Sequence, residues 1–68
     1  MKNELEKVKT LLNHWIYHNT EHKDEFENWA KKITNFGFEI ASFEVNKAAE
    51  MMKKVNEHLY KALTALGG

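Results

Sequence analysis

The sequence has no cysteine, no proline and no arginine, and glycine occurs only at positions 37, 67 and 68. Without cysteine there are no disulfides and no thiolate metal sites. A scaffold of 68 residues must then find its stability in helix packing, in self-association or in a metal held by histidine and carboxylate. Without proline nothing forces a break inside a helix. All ten cations are lysine, so there is no planar fork for bases or phosphates. Ten acids balance those lysines, and the formal net charge is zero. Such a chain has no strong field to draw it to nucleic acid or anionic lipid. No apolar run approaches the roughly 18 residues of a membrane span. The absence of cysteine and of a signal-peptide pattern predicts a cytoplasmic location. The expected organisation is a single helical domain over 1–68, with neither nucleic acid nor membrane as partner.

What is present is a repeat of three and four. Positions 5, 8, 12, 15, 19, 22, 26, 29, 33 and 36 read Leu, Val, Leu, Trp, Asn, His, Phe, Trp, Ile and Phe. Positions 41, 45, 48, 52, 55, 59, 62 and 66 read Ala, Val, Ala, Met, Val, Leu, Ala and Leu. Both stretches carry the pattern of a coiled-coil seam. Gly37, set between Phe36 and Phe38, is the strong breaker between them and suits a left-handed helix end. The fold class predicted is all-α, an antiparallel helical hairpin over about 3–36 and 39–66. Folding about Gly37 makes facing residue numbers sum to about 77, and large residues then oppose small ones. Trp29 meets Ala48, Trp15 meets Ala62 and Phe36 meets Ala41. A second architecture, a three-helix bundle, follows if Asn19 ends one helix and Thr20 caps the next.

A lone hairpin leaves one side open. Ile16, Ala30, Ala49 and Leu63 form a mildly apolar strip beside the predicted seam, with small residues at its middle. That strip is the expected interface of a homodimer, two hairpins joined into a four-helix bundle.

The chemistry-bearing pattern is the run His14-Trp15-Ile16-Tyr17-His18-Asn19-Thr20-Glu21-His22, with three of the chain's four histidines at i, i+4 and i+8. On a helix this spacing stacks the rings along one stripe, and imidazoles four apart can share a transition metal. In the predicted register His18 and the fourth histidine, His58, flank the seam at the same level. All four histidines, His14, His18, His22 and His58, then lie on one edge as the candidate metal site. Histidine with carboxylate suits Ni, Zn or Co, and nothing in the residues selects among them. Two other readings fit the same residues. His22 can be a seam histidine bonded to Asn19 that sets register, leaving a pure oligomerisation or protein-interaction module. The cluster can also respond to protons near neutrality.

No enzyme is expected. His18-Asn19-Thr20-Glu21-His22 has the spacing of an inverted zinc-peptidase motif, but that chemistry needs a further carboxylate ligand and a cleft on a larger domain. There is no phosphate-binding loop, and Ser42 is the only serine.

The stretch from His14 to His22 resembles the His-Trp-Ile-x-His-Asn-x-x-His opening of a small uncharacterised helical family. Ala48-Ala49-Glu50-Met51-Met52 and Leu59-Tyr60-Lys61-Ala62-Leu63 are similar to its Ala-rich second helix. Some members stand alone and others are attached to CooT-like nickel-binding proteins. The resemblance implies an association with nickel or a related metal through His14, His18 and His22. It implies no defined activity.

Overall fold

With no proline or glycine before position 37, the chain can run helical over its whole first half, and it does. A computed structural model describes residues 2–68. Helix α1 spans Lys2–Asn35 and α2 spans Glu39–Ala65, and the two pack side by side as an antiparallel hairpin. The rod is 53 Å long, as 34 residues at about 1.5 Å each require.

Gly37 ends α1 as expected. Its φ of +92° is the left-handed conformation that side chains disfavour. The Gly37 amide donates to the Thr34 carbonyl (2.9 Å) and the Phe38 amide to the Ile33 carbonyl (3.1 Å). This pair of bonds is the Schellman closure. The same closure ends α2, with Gly67 donating to Thr64 (3.0 Å) and Gly68 to Leu63 (3.1 Å).

The three-helix alternative fails at Asn19 and Thr20, which lie inside a continuous α1. Both side chains are spent across the helix pair instead. Asn56 of α2 is buried, at 7% exposure. Asn19 donates to its side-chain oxygen at 3.1 Å. The Asn56 amide in turn donates to the Thr20 hydroxyl (3.1 Å) and towards the Ile16 carbonyl (3.3 Å). Thr20 donates back to the same carbonyl at 2.9 Å. A buried amide is costly unless its hydrogen bonds are made, and here they are. Asn19 therefore faces Asn56, a register offset by two from the predicted one.

That register turns each helix relative to the predicted seam. Positions 12, 19, 26 and 33 on α1 and 45, 52, 59 and 66 on α2 face inward as expected. The other half of the seam is replaced. Ile16 and Ala30 are buried where Trp15 and Trp29 were expected, and Ala49, Asn56 and Leu63 where Ala48, Val55 and Ala62 were. The reason lies near the turn. Two helices joined through three residues approach closely there, and Ala30, Ser42 and Ala49 are small enough to sit between them. Ser42 donates to the Ala30 carbonyl (2.7 Å) and accepts from Thr34 (2.6 Å). An indole at position 30 would force the helices apart.

The interior thus has three zones. Small residues fill the turn end, the asparagine layer fills the middle, and Leu12, Ile16 and Leu63, flanked by Leu59 and Leu66, close the open end. Lys23 lies among the inward positions, half-buried. It carries its ammonium out to Asp24 (3.0 Å) and Glu27 (3.2 Å). The hydrogen bonds to Asp24 and then Glu27 hold that ammonium above its ordinary lysine pKa. Glu27 and Glu50 take Lys23 and Lys47 as partners. Among the described residues no helix is long and apolar enough to cross a membrane.

Asn56→Ala should lower the unfolding free energy by about 1–3 kcal/mol in urea titration, because it removes the cross-helix hydrogen bonds to Asn19, Thr20 and the Ile16 carbonyl. An unchanged midpoint would mean that the asparagine layer does not hold the helices together.

Candidate functional site

The rotation of both helices inverts the expected interface. Ile16, Ala30, Ala49 and Leu63 form the hairpin's own interior, Ala30 being 1% exposed. They are not available to a partner. The residues they displaced now form an open face. On α1 this face carries Val8, Trp15, His22, Trp29 and Phe36, one residue in every seven, with Leu11 beside them. On α2 it carries Ala41, Ala48, Val55 and Ala62 at the same spacing. These two stripes lie on the same side of the hairpin because the like flanks of antiparallel helices meet. Trp15 and Trp29 are 46% and 47% exposed. A half-exposed indole is common, but two in one stripe with Val8, Leu11, Phe36 and Val55 give this side an apolar surface that His22 interrupts.

The histidines border and bisect this face. His22, expected in the seam, is exposed at the middle of the α1 stripe and lies against Phe26, with ring centroids 6.1 Å apart. Asn19, the partner expected for a structural His22, is bonded to Asn56 instead. His18 lies one turn before His22, on the outer edge of the face. Its ring is met edge-on by His14 at 4.3 Å and by Tyr17 at 5.9 Å. Its Nδ1 is 3.5 Å from Glu21 Oε1. His58 is exposed on the outer edge of the α2 side. His18 and His58 thus share a level, as expected, but stand on opposite borders of the face with the two stripes between them. Among the described residues, no three histidine or acidic side chains gather closely enough to hold one metal ion. The His14–His18 contact is the close pair that the spacing predicted.

The chain's one serine is already engaged. The Ser42 hydroxyl is buried, with its proton given to a backbone carbonyl. A shallow hollow at the turn is lined by Gly37, Phe38, Glu39, Ile40 and Ala41, and Glu39 is the ionisable group in it. The aromatic face was missed in the sequence because its residues were read as core. The signal that could have found it is Asn56, which opposes Asn19 only when the helices are turned this way.

Comparison with known proteins gives two matches. The family described as a domain of unknown function (DUF8180) matches residues 8–66. An archaeal protein of Archaeoglobus fulgidus, named only as uncharacterized, is 41% identical over 63 residues, covering 93% of this chain and all of that protein. No solved structure matches.

The inversion can be tested by one charge placed at two neighbouring positions. Ala49→Glu buries a carboxylate between the helices and should cost more than about 3 kcal/mol, abolishing the helical circular dichroism at modest temperature. Ala48→Glu points to the open face and should leave a dilute hairpin folded. Equal loss of helicity from both would show that position 48 is also internal.

Proposed function

The chain belongs to the DUF8180 family of domains of unknown function, and from there we propose that it is a non-enzymatic helical module. It associates with a second copy through its tryptophan face to form a four-helix bundle. Its histidine edge is the place where a transition metal is taken up.

The observation that carries this reading is the outward stripe of Trp15 and Trp29 over a thin interior. Five hydrophobic residues are buried among those described, and two of them are alanine. That is little apolar burial for a chain with no disulfide, and oligomerisation is a usual remedy. The hairpin is 53 Å by 14 Å in the plane of its helices. Such a face offers a footprint of roughly 700 Å² per copy, close to the ~800 Å² per partner of a standard interface. A net charge of zero sets no repulsion between copies. The spacing of His14, His18 and His22 supports the metal part of the reading, since imidazoles one turn apart are a familiar pair of ligands.

Sedimentation equilibrium in the presence of chelator tests the association alone. The apparent mass should rise from 8.0 kDa towards twice that value with concentration. Trp29→Glu should shift the dimerisation constant by at least about 30-fold, since buried aromatic anchors contribute about 2 kcal/mol or more. A helical chain that stays at 8.0 kDa at millimolar concentration would overturn the proposal.

A further inference from the structure

The open face carries a second seam. On α1, positions 8, 11, 15, 18, 22, 25, 29, 32 and 36 step by four and three, and on α2, positions 41, 44, 48, 51, 55, 58, 62 and 65 do so too. A two-fold axis parallel to the rod lays α1 of each copy along α2 of the other, antiparallel and at matching levels. Trp15 then lies within about 3 Å, along the axis, of the level of the second copy's Ala62, and Trp29 likewise of its Ala48, as the Asn19–Asn56 pairing sets the levels. Where the α1 residue shrinks from tryptophan to His22, the α2 residue grows from alanine to Val55. Along the two central stripes bulk is matched by space, as close packing requires. Lys32 comes over the second copy's Glu44, opposite in charge. An axis across the rod would instead set tryptophan on tryptophan and alanine on alanine. A second copy is therefore the occupant that this face fits.

The same operation changes the position of the histidines. Within one chain His18 and His58 stand on opposite borders of the face. Across the two-fold axis, the border of α1 that bears His18 meets the border of the second copy's α2 that bears His58. His18 lies one turn from His22, and His58, level with Tyr17 in the Asn19–Asn56 register, lies within about 8 Å of it along the axis. We infer that the dimer builds two equivalent metal sites, each made of His18 and His22 from one copy and His58 from the other, for a first-row divalent cation such as Zn²⁺. The inference rests on the association proposed above.

Two details agree with this composite site. His18 and His22 are four apart on a helix, the spacing at which two imidazoles can share one ion. The Nδ1 of His18 already faces Glu21 at 3.5 Å, so the ring presents Nε2 outward. A ligating histidine characteristically gives its other ring N–H to a carboxylate. His14, edge-on at 4.3 Å, limits rotation of that ring and is a positioning residue. Three neutral imidazoles leave a fourth position to water, the usual tetrahedral arrangement for zinc.

The test is trans-complementation read by calorimetric titration with Zn²⁺ alone. The natural chain should bind one ion per chain. His58→Ala should lose binding, and so should the double variant His18→Ala, His22→Ala, and sedimentation in chelator is run on each at concentrations high enough to populate its dimer. Mixed in equal amounts, the two variants form heterodimers in which one copy supplies His18 and His22 and the other His58. Each heterodimer regains one of its two sites. Glu21→Gln should weaken binding about tenfold, as loss of a supporting carboxylate does. Full binding by His58→Ala would place the ligands within one helix and overturn the inference. So would a mixture that dimerises but binds nothing. A natural chain that dimerises in chelator yet takes up no Zn²⁺ overturns the site and leaves the association standing, whereas a chain monomeric with and without Zn²⁺ overturns both.

Discussion

The side chain of Asn56 determines which surface of this molecule is inside. It is buried, it reaches three groups on the opposite helix, and its bonds can be made in one register only. A purely apolar seam would tolerate a slip or a rotation, because one leucine contact resembles another. An amide does not tolerate it, since each buried donor or acceptor left without its partner costs about 1–3 kcal/mol. Once Asn19 and Asn56 are paired, Ile16 and Leu63 are carried inward and Trp15 outward. Every property of the outer face follows from that choice.

The hairpin was legible because its signals are local and redundant. The period of three and four, the lack of proline and the single internal glycine at Gly37 all point to two helices and one turn. Half of the interior was legible too, since Leu12, Phe26, Val45, Met52, Leu59 and Leu66 belong to both candidate seams. The other half was not. Two stripes one residue apart compete for the inside, and the more apolar of them contains Trp15, Trp29 and Val55. Counting hydrophobic residues favours that stripe. Two quantities invisible to such a count decided otherwise: the close approach imposed by a three-residue turn and the hydrogen bonds of a single asparagine. Asn19 and Thr20 misled for a related reason. Their side chains are as able to end a helix as to bond across a pair, and only the position of Asn56 selects between these uses. The histidines were found by spacing, but their grouping on one edge needed the third dimension. His14 and His18 do touch, whereas His18 and His58 are separated by the width of the face.

The result is a molecule with its bulkiest residues turned outward. Alanine, serine and asparagine occupy the interior near the turn and at the centre, while both tryptophans lie in solvent-facing positions. In a domain with a larger core this would be an unusual inversion. In a pair of helices it is a matter of geometry, because each helix has only one neighbour and a wide apolar stripe cannot be covered by it. Small residues let the pair close tightly, and large ones extend from it as surface available for contact. The two functions of a side chain, filling an interior and recognising a surface, are divided here between positions that differ by one in the sequence.

The helices are unequal in length, and the difference falls entirely at one end. The closing glycines of α2 lie beside Lys9, whose side chain comes within 3.1–3.4 Å of where a Cβ on Gly68 would stand. The side chains of α1 from Asn3 to Val8 are all exposed. Backbone amides there are held only by the helix itself, which in isolation is marginal at such a length. Hydrogen exchange should therefore run along the rod as a gradient: fast from the start of α1 to about Leu11, slower from Leu12, and slowest around the asparagine layer, where opening requires the two helices to part.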